Sequence, residues 1–278
     1  MRIDLIRSKW DMPELSFRDF LQRVKRAGFD GCEVFLPELK EGPAESLDLL
    51  EEFNLQLIGM IASDGATLGE HLRSLENRFA RALAYRPARI NCHSGKDYFS
   101  LVENAKIVRR SLELSAEAGI PISHETHRGR ATFCTVSTSQ LIEAVPEMRL
   151  TADFSHWCCV HESLLQDQPE AVERAIQHAD YIHARVGHIE GPQVSDPLAP
   201  EWKTELDRHM GWWERIIHQH RRRETEALPI CPEFGPPPYM PLLPYTRQPV
   251  ADLWKITEEM KHFLRQRLDS PLLSEERQ

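Results

Sequence analysis

The sequence predicts a (β/α)₈ barrel, and three observations carry that prediction. Short, β-favouring apolar runs alternate with longer amphipathic segments along the whole chain, at intervals of about 25–35 residues. No glycine-rich phosphate turn follows the first run, as an open doubly wound sheet would usually carry. The length of 278 residues is close to the ~250 residues typical of one such barrel. A hydrophobic fraction of 41% with 28% charged residues is that of a globular protein able to bury a large core. The chain therefore reads as a single domain over 1–278, with 270–278 expected as a flexible tail.

In chain order, strands are expected at 2–6, 31–36, 55–61, 89–92, 120–126, 149–154, 181–186 and 229–234. Helical spacing marks 17–27, 72–84, 101–118 and 212–220 among the segments between them. In the first of these, Phe17, Phe20, Leu21 and Val24 form one apolar face, and Gly28 stands where a helix C-terminal cap belongs. Two connections, 187–203 and 235–249, are long and rich in proline. Both follow strands, so both belong to the C-terminal face of the barrel, where barrel enzymes place their active sites. Trp202, Tyr239 and Tyr245 give these connections packing surface, and they are expected to cover the barrel mouth.

A formal net charge of −9 argues against a nucleic-acid partner, which demands clustered Lys and Arg. The one basic run, Arg221, Arg222 and Arg223, reads as a solvated helix end. The segment beginning Met1-Arg2-Ile3-Asp4 has no apolar leader, and no run approaches the ~20 apolar residues needed to span a bilayer. None of the six cysteines falls in a C-x-x-C pair, and several lie in strand-like runs as small hydrophobes. A cytoplasmic protein with reduced thiols and no membrane partner is expected.

Four consecutive expected strands end in a good ligand for a hard cation: Glu125, Asp153, His183 and Glu233. Side chains alternate along a strand with period two, so Ser123 shares a face with Glu125, Thr151 with Asp153, Tyr181 with His183 and Arg185, and Cys231 with Glu233. If these faces point into the mouth, three carboxylates and one imidazole converge. Three anions so close repel one another unless a cation sits between them. One divalent ion is therefore expected, Mn²⁺ best suiting an oxygen-rich set with one nitrogen, with Mg²⁺, Co²⁺ and Zn²⁺ as the alternatives. His93 and Lys96, at the end of the fourth strand, are candidate contacts to a substrate hydroxyl or phosphate. Glu33, ending the second strand, is another. Trp157 offers either a stacking face or simple packing. His71, His178, His218 and His220 read as structural, and His209 is undecided.

Several motifs together give the chain a resemblance to the xylose isomerase-like TIM barrel superfamily. They are Gly28-Phe29-Asp30-Gly31-Cys32-Glu33, His124-Glu125-Thr126-His127, Thr151-Ala152-Asp153-Phe154-Ser155-His156, Tyr181-Ile182-His183 and Pro232-Glu233-Phe234-Gly235. That superfamily includes sugar and sugar-phosphate isomerases and epimerases, inosose and dehydroshikimate dehydratases, and apurinic-site endonucleases. The resemblance spans nearly the whole chain. It implies a single-metal site on Glu125, Asp153, His183 and Glu233. It makes Glu125 and Glu233 the acid–base pair, and His156 a contact to substrate. The epimerases also carry an Arg shortly after the seventh-strand His; here Ile189 occupies that region, and Arg185 and His188 are the nearby candidates.

The implied activity is isomerisation or epimerisation of a sugar or sugar phosphate by proton transfer beside a carbonyl. A dehydratase or lyase is the alternative, in which His124, His127 and Arg128 would form a cationic frame aiding a leaving group. Apurinic-site cleavage and non-catalytic sugar binding are more distant readings. The partner implied is a small carbohydrate, and a homo-oligomer remains open.

Overall fold

Strands form where β-branched and apolar residues can be buried on both faces, as the walls of a closed parallel sheet require. In the computed structural model, which describes residues 1–268, eight such strands are present. They are β1 (Arg2–Ser8), β2 (Gly31–Phe35), β3 (Gln56–Ala62), β4 (Arg89–His93), β5 (Ile122–Glu125), β6 (Leu150–Ala152), β7 (Ala179–His183) and β8 (Ala227–Cys231). They pair in parallel in sequence order, and β8 returns to β1 through Arg2 opposite Ala227 and Leu5 opposite Ile230, closing the barrel. The expected (β/α)₈ TIM-barrel architecture is present; the expected 270–278 tail lies outside the described residues.

The helices are α1 (Phe17–Arg26), α2 (Pro43–Phe53), α3 (Leu68–Leu83), α4 (Leu101–Ala118), α5 (Thr135–Ala144), α6 (Ser155–His161), α7 (Pro169–His178), α8 (Lys203–Arg222) and α9 (Leu253–Leu268). The expected face of α1 is the buried one: Phe17, Phe20, Leu21 and Val24 are fully enclosed. Each such side chain stabilises the fold by about 1.5–3 kcal/mol. Ser16 caps this helix by accepting from the Asp19 amide at 3.1 Å, and α3 and α4 each begin with a reciprocal Thr or Ser and Glu capping box. Arg221 and Arg222 occupy the last turn of α8, as expected of a solvated helix end. None of the described helices is long and apolar enough to cross a membrane.

The strands are offset from the expected ones in an instructive way. β6 ends at Ala152 and β8 at Cys231, so Asp153 and Glu233 lie just beyond the ladder rather than in it. There the chain has left the wall, and its side chains are free to turn over the mouth. At the other end, β8 starts at Ala227 and contains Pro229, opposite Asp4 of β1. A proline normally marks a strand edge because it lacks a donor, yet here Pro229 lies inside the ladder, two residues past the strand's start.

Candidate metal centre

The inward-facing residues of the barrel change character along its axis. Ile6, Ile58, Tyr181 and Cys231 make a small apolar cluster inside the barrel, and the Ser123 and Thr151 hydroxyls bond each other at 2.7 Å. Two residues further along their strands come Glu125 and Asp153, and beside them His183 and Glu233. One ligand atom from each of these four buried residues lies within 4.8 Å of the other three. That spread suits a single hard cation, whose ligands stand about 2.0–2.6 Å from the ion.

Further residues complete the cluster. His183 turns Nε2 toward Glu33 Oε1 at 3.1 Å and Nδ1 toward Glu233 Oε2 at 3.1 Å and Glu125 Oε2 at 3.5 Å. A carboxylate behind a ligating imidazole fixes its orientation and tautomer, leaving the other nitrogen for the ion. Glu33 therefore sits behind His183, fully buried, rather than on the wall of the cavity. Asn91 donates to Glu125 Oε2 at 2.8 Å and to Glu33 Oε2 at 3.3 Å; its position on β4 facing inward was predictable from period two, but its partners were not.

Arg185 donates to Asp153 and lies 3.5 Å from Glu233 Oε2. Ser155 donates to the other Asp153 oxygen. Four carboxylates thus face the Arg185 guanidinium and the His183 and His93 imidazoles.

The electrostatics follow from this crowding. Burial acts to lower the His183 pKa, but Glu233, Glu33 and Glu125 outweigh it and hold the imidazole well above its ordinary value. Burial pushes Asp153 up to about 6, against the pull of Arg185. Burial also raises Glu33. For Glu125, burial is overcome by His93 and His183, and the carboxyl falls well below its usual range. The set fits a divalent cation: it has excess negative charge, correct donor types, and a His183 Nδ1 and Glu33 Oε1 without hydrogen-bond partners.

Beside this centre runs a row of imidazoles. His93 Nε2 lies 2.8 Å from Glu125 Oε2. The His93 ring is 4.4 Å from that of His127, which is 4.0 Å from that of His156. His93, Glu125 and His127 also bring ligand atoms within 4.8 Å of one another. Burial holds His127 and His156 well below the ordinary imidazole pKa, so both are neutral at pH 7. Arg185 Nη2 donates to His156 Nε2 at 2.8 Å, which leaves the proton on Nδ1.

The cationic frame expected around Glu125 is therefore not assembled. His124 points away from the mouth, between Ser94 and Ser111 at 2.6 and 3.0 Å, and burial lowers its pKa to about 4. Strand alternation puts neighbours on opposite faces, so a residue next to Glu125 faces the helices. Arg128 is exposed and lies 5.0 Å from the Tyr239 ring.

Other expected positions are brought near or kept apart. The structure gathers Glu33, His93, His156 and Arg185 around the four ligands. It does not bring Lys96, whose backbone is held by Asn104 at 3.2 and 2.8 Å outside the cavity, or His188, whose ring packs 5.1 Å from Trp202. Trp157 is packed in the core, donating to the Thr132 carbonyl at 2.9 Å. His209 is buried against Trp212 and Trp213 and accepts from the Gly187 amide.

The cavity above the centre encloses about 630 Å³. Of the two proline-rich connections, 235–249 reaches the mouth, where Tyr239 meets Trp10 edge-to-face at 4.8 Å. Residues of neither connection are among those that line the cavity directly. Gln193 joins the two, donating to the Gly235 carbonyl at 3.1 Å and accepting from its amide at 2.6 Å. Trp10 was missed by sequence reading: it follows β1 with no local motif, and its place depends on Gly235, where a Cβ would lie 2.1 Å from the indole.

Fold and site together define a class: a closed parallel barrel whose mouth gathers buried carboxylates and an imidazole that could hold a cation. Within that class the chain belongs to the xylose isomerase-like TIM barrel family, which residues 21–217 match. No curated protein matches the sequence. Among solved structures it is similar to the probable 3-DHS dehydratase AsbF of Bacillus anthracis, with 17% identity, a TM-score of 0.62, and 94% of this chain and 99% of that chain covered. The 3-keto-D-glucoside 4-epimerase YcjR of E. coli shares 13% identity at a TM-score of 0.60, covering 95% of this chain and all of that one (100%). A xylose isomerase-like TIM barrel protein of Mycobacterium smegmatis, in complex with magnesium, shares 12% identity at 0.62, covering 95% of each chain. At these identities the likeness establishes the fold; its members include both epimerases and dehydratases.

Proposed function

We propose that this protein is a divalent-metal-dependent isomerase or epimerase of a sugar or sugar phosphate, working by proton transfer beside a carbonyl. One observation carries the reading: Glu125, Asp153, His183 and Glu233 converge within 4.8 Å at the floor of an open cavity. Mn²⁺ suits this oxygen-rich set best, with Mg²⁺, Co²⁺ and Zn²⁺ as alternatives. A bound divalent ion supplies Lewis acidity, drawing electron density from a carbonyl and its neighbouring hydroxyl.

The chain's own residues do the rest. Glu125 and Glu233 both line the cavity. Each is held deprotonated: burial opposes this, but His93 and His183 outweigh it for Glu125, as do His183 and Arg185 for Glu233. One carboxylate takes the proton from carbon, and the other, once it has taken up a proton from solvent in the open cavity, delivers that proton to the opposite face. His156, with its proton on Nδ1, donates to a substrate oxygen, and Arg185 holds that imidazole and Asp153 in place. His93 supports Glu125 and contacts the substrate.

In deuterium oxide, the metal-loaded protein is expected to place deuterium on the carbon beside the carbonyl of a suitable ketose. Glu125→Gln and Glu233→Gln are each expected to slow this by orders of magnitude. Undiminished exchange in both variants at normal metal content would mean that other groups are the bases.

A further inference from the structure

The cavity is much larger than the reaction just proposed requires, and its lining is divided. About 630 Å³ lies within the ~300–1,000 Å³ of pockets that enclose drug-sized ligands, and is several times what one hexose ring fills. On one side lie His93, Glu125, Arg185 and Glu233. The other side is made by Pro13, Leu15, Val34, Phe35, Leu39 and Met60, from the ends of β1, β2 and β3 and the loops after them. We propose that the site takes a glycoside: a polyhydroxylated ring over Glu125 and Glu233, and an apolar aglycone of aromatic-ring size along the Leu15–Phe35–Leu39–Met60 wall. The inference rests on the carbohydrate reading above and extends it to the part of the substrate that does not react.

The character of the wall selects an apolar group over a second sugar. Hydroxyls taken out of water without partners cost several kcal/mol relative to a fully apolar reference, so a second ring needs free polar groups. The charged groups deep on this side are already engaged. The Lys9 ammonium donates to the Met12 and Leu15 carbonyls, both at 2.8 Å. A Glu41 oxygen accepts from the Phe17 amide at 2.7 Å. Glu38 and Lys40 are exposed at the rim. Apart from the Ser8 hydroxyl, which accepts from the Trp10 amide at 3.3 Å, what remains facing the cavity on this side is aliphatic and aromatic surface, which a matching apolar group removes from water.

Trp10 marks the junction of the two sides. It lines the cavity while 40% exposed, held edge-to-face by Tyr239, with the Arg185 guanidinium 5.7 Å from its ring centre. Its flat face stands where the ring would pass into the aglycone, an arrangement suited to an amphipathic ligand.

The test is calorimetric titration of the Mn²⁺-loaded protein with methyl and phenyl β-D-glucopyranoside, and with the same pair of galactosides. The phenyl glycoside of at least one sugar is expected to bind about tenfold or more tightly than its methyl counterpart, from the extra apolar area buried. Leu15→Asn and Leu39→Asn, at half-buried loop positions, are expected to bring the phenyl-to-methyl ratio back toward one. Equal affinity within both pairs would overturn the inference and leave the metal-centred reaction intact. A phenyl preference that survives both substitutions would also overturn it, because the aglycone would then lie elsewhere. Binding of none of the four, with metal loaded, would remove the carbohydrate reading together with this extension.

Discussion

The two sides of the barrel mouth are built on opposite principles. The side formed by β5 to β8 is charged, buried and mutually dependent: Asp153 is held by Arg185 and Ser155, His183 by Glu33, and Glu125 by Asn91 and His93. The side formed by β1 to β3 presents mainly apolar, half-open surface to the cavity, and its Lys9 and Glu41 side chains are engaged by backbone groups. Charges in a low-dielectric volume must be paired and oriented, so each change propagates. Apolar contacts are individually small and tolerate replacement. The charged side is therefore expected to be brittle toward substitution, and the apolar side to be tunable.

The largest effect should come from removing a charge on the brittle side. Asp153→Asn keeps the shape but takes away a ligand anion, and His183→Ala takes away the nitrogen. The wild-type protein is expected to carry about one divalent ion per chain, and both variants are expected to lose it, as read by elemental analysis. Full occupancy in both would break the comparison, since the cluster would then be an ion-pair network with no need of a cation.

A smaller effect is expected at the clamp between the loops that back this side. Gln193→Ala strands the buried amide and carbonyl of Gly235 without partners. The cost is expected to be about 2 kcal/mol, measured by chemical denaturation, with faster hydrogen exchange over 235–249. An unchanged midpoint would mean that water replaces the glutamine and that the clamp is not what holds Tyr239 against Trp10.

The effect that is smallest at neutral pH, and grows only on acidification, concerns His209. His209 donates from Nδ1 to the Glu205 carbonyl and accepts the Gly187 N–H at Nε2, an arrangement only the neutral ring permits. Burial lowers its pKa from 6.5 to about 4. Between these values the unfolded chain binds the proton and the folded one does not, so stability is full above pH 6.5 and falls as the pH drops toward 4. The loss is about 1.4 kcal/mol for each pH unit well inside that window. His209→Gln is expected to flatten this part of the stability profile. An identical slope in the variant would assign the acid sensitivity to the charged cluster instead.

Much of this molecule was legible in its sequence, and the reason is periodicity. Alternation of apolar runs with helical segments fixes a parallel barrel, because helices returning between strands leave few other closed arrangements. Period two then places Glu125 and Asp153 on the same face as Ser123 and Thr151, and the strand ends place all four ligands at one rim. Barrel closure decided the rest. It put Glu33 and Asn91, distant in sequence, behind His183 and Glu125. It kept Lys96 and His188 away from the cavity, and let Trp10 close on Gly235 to join the two sides. These outcomes depend on which separate segments the curvature brings within a few ångströms, and a pattern read along one strand has no term for the distance to another.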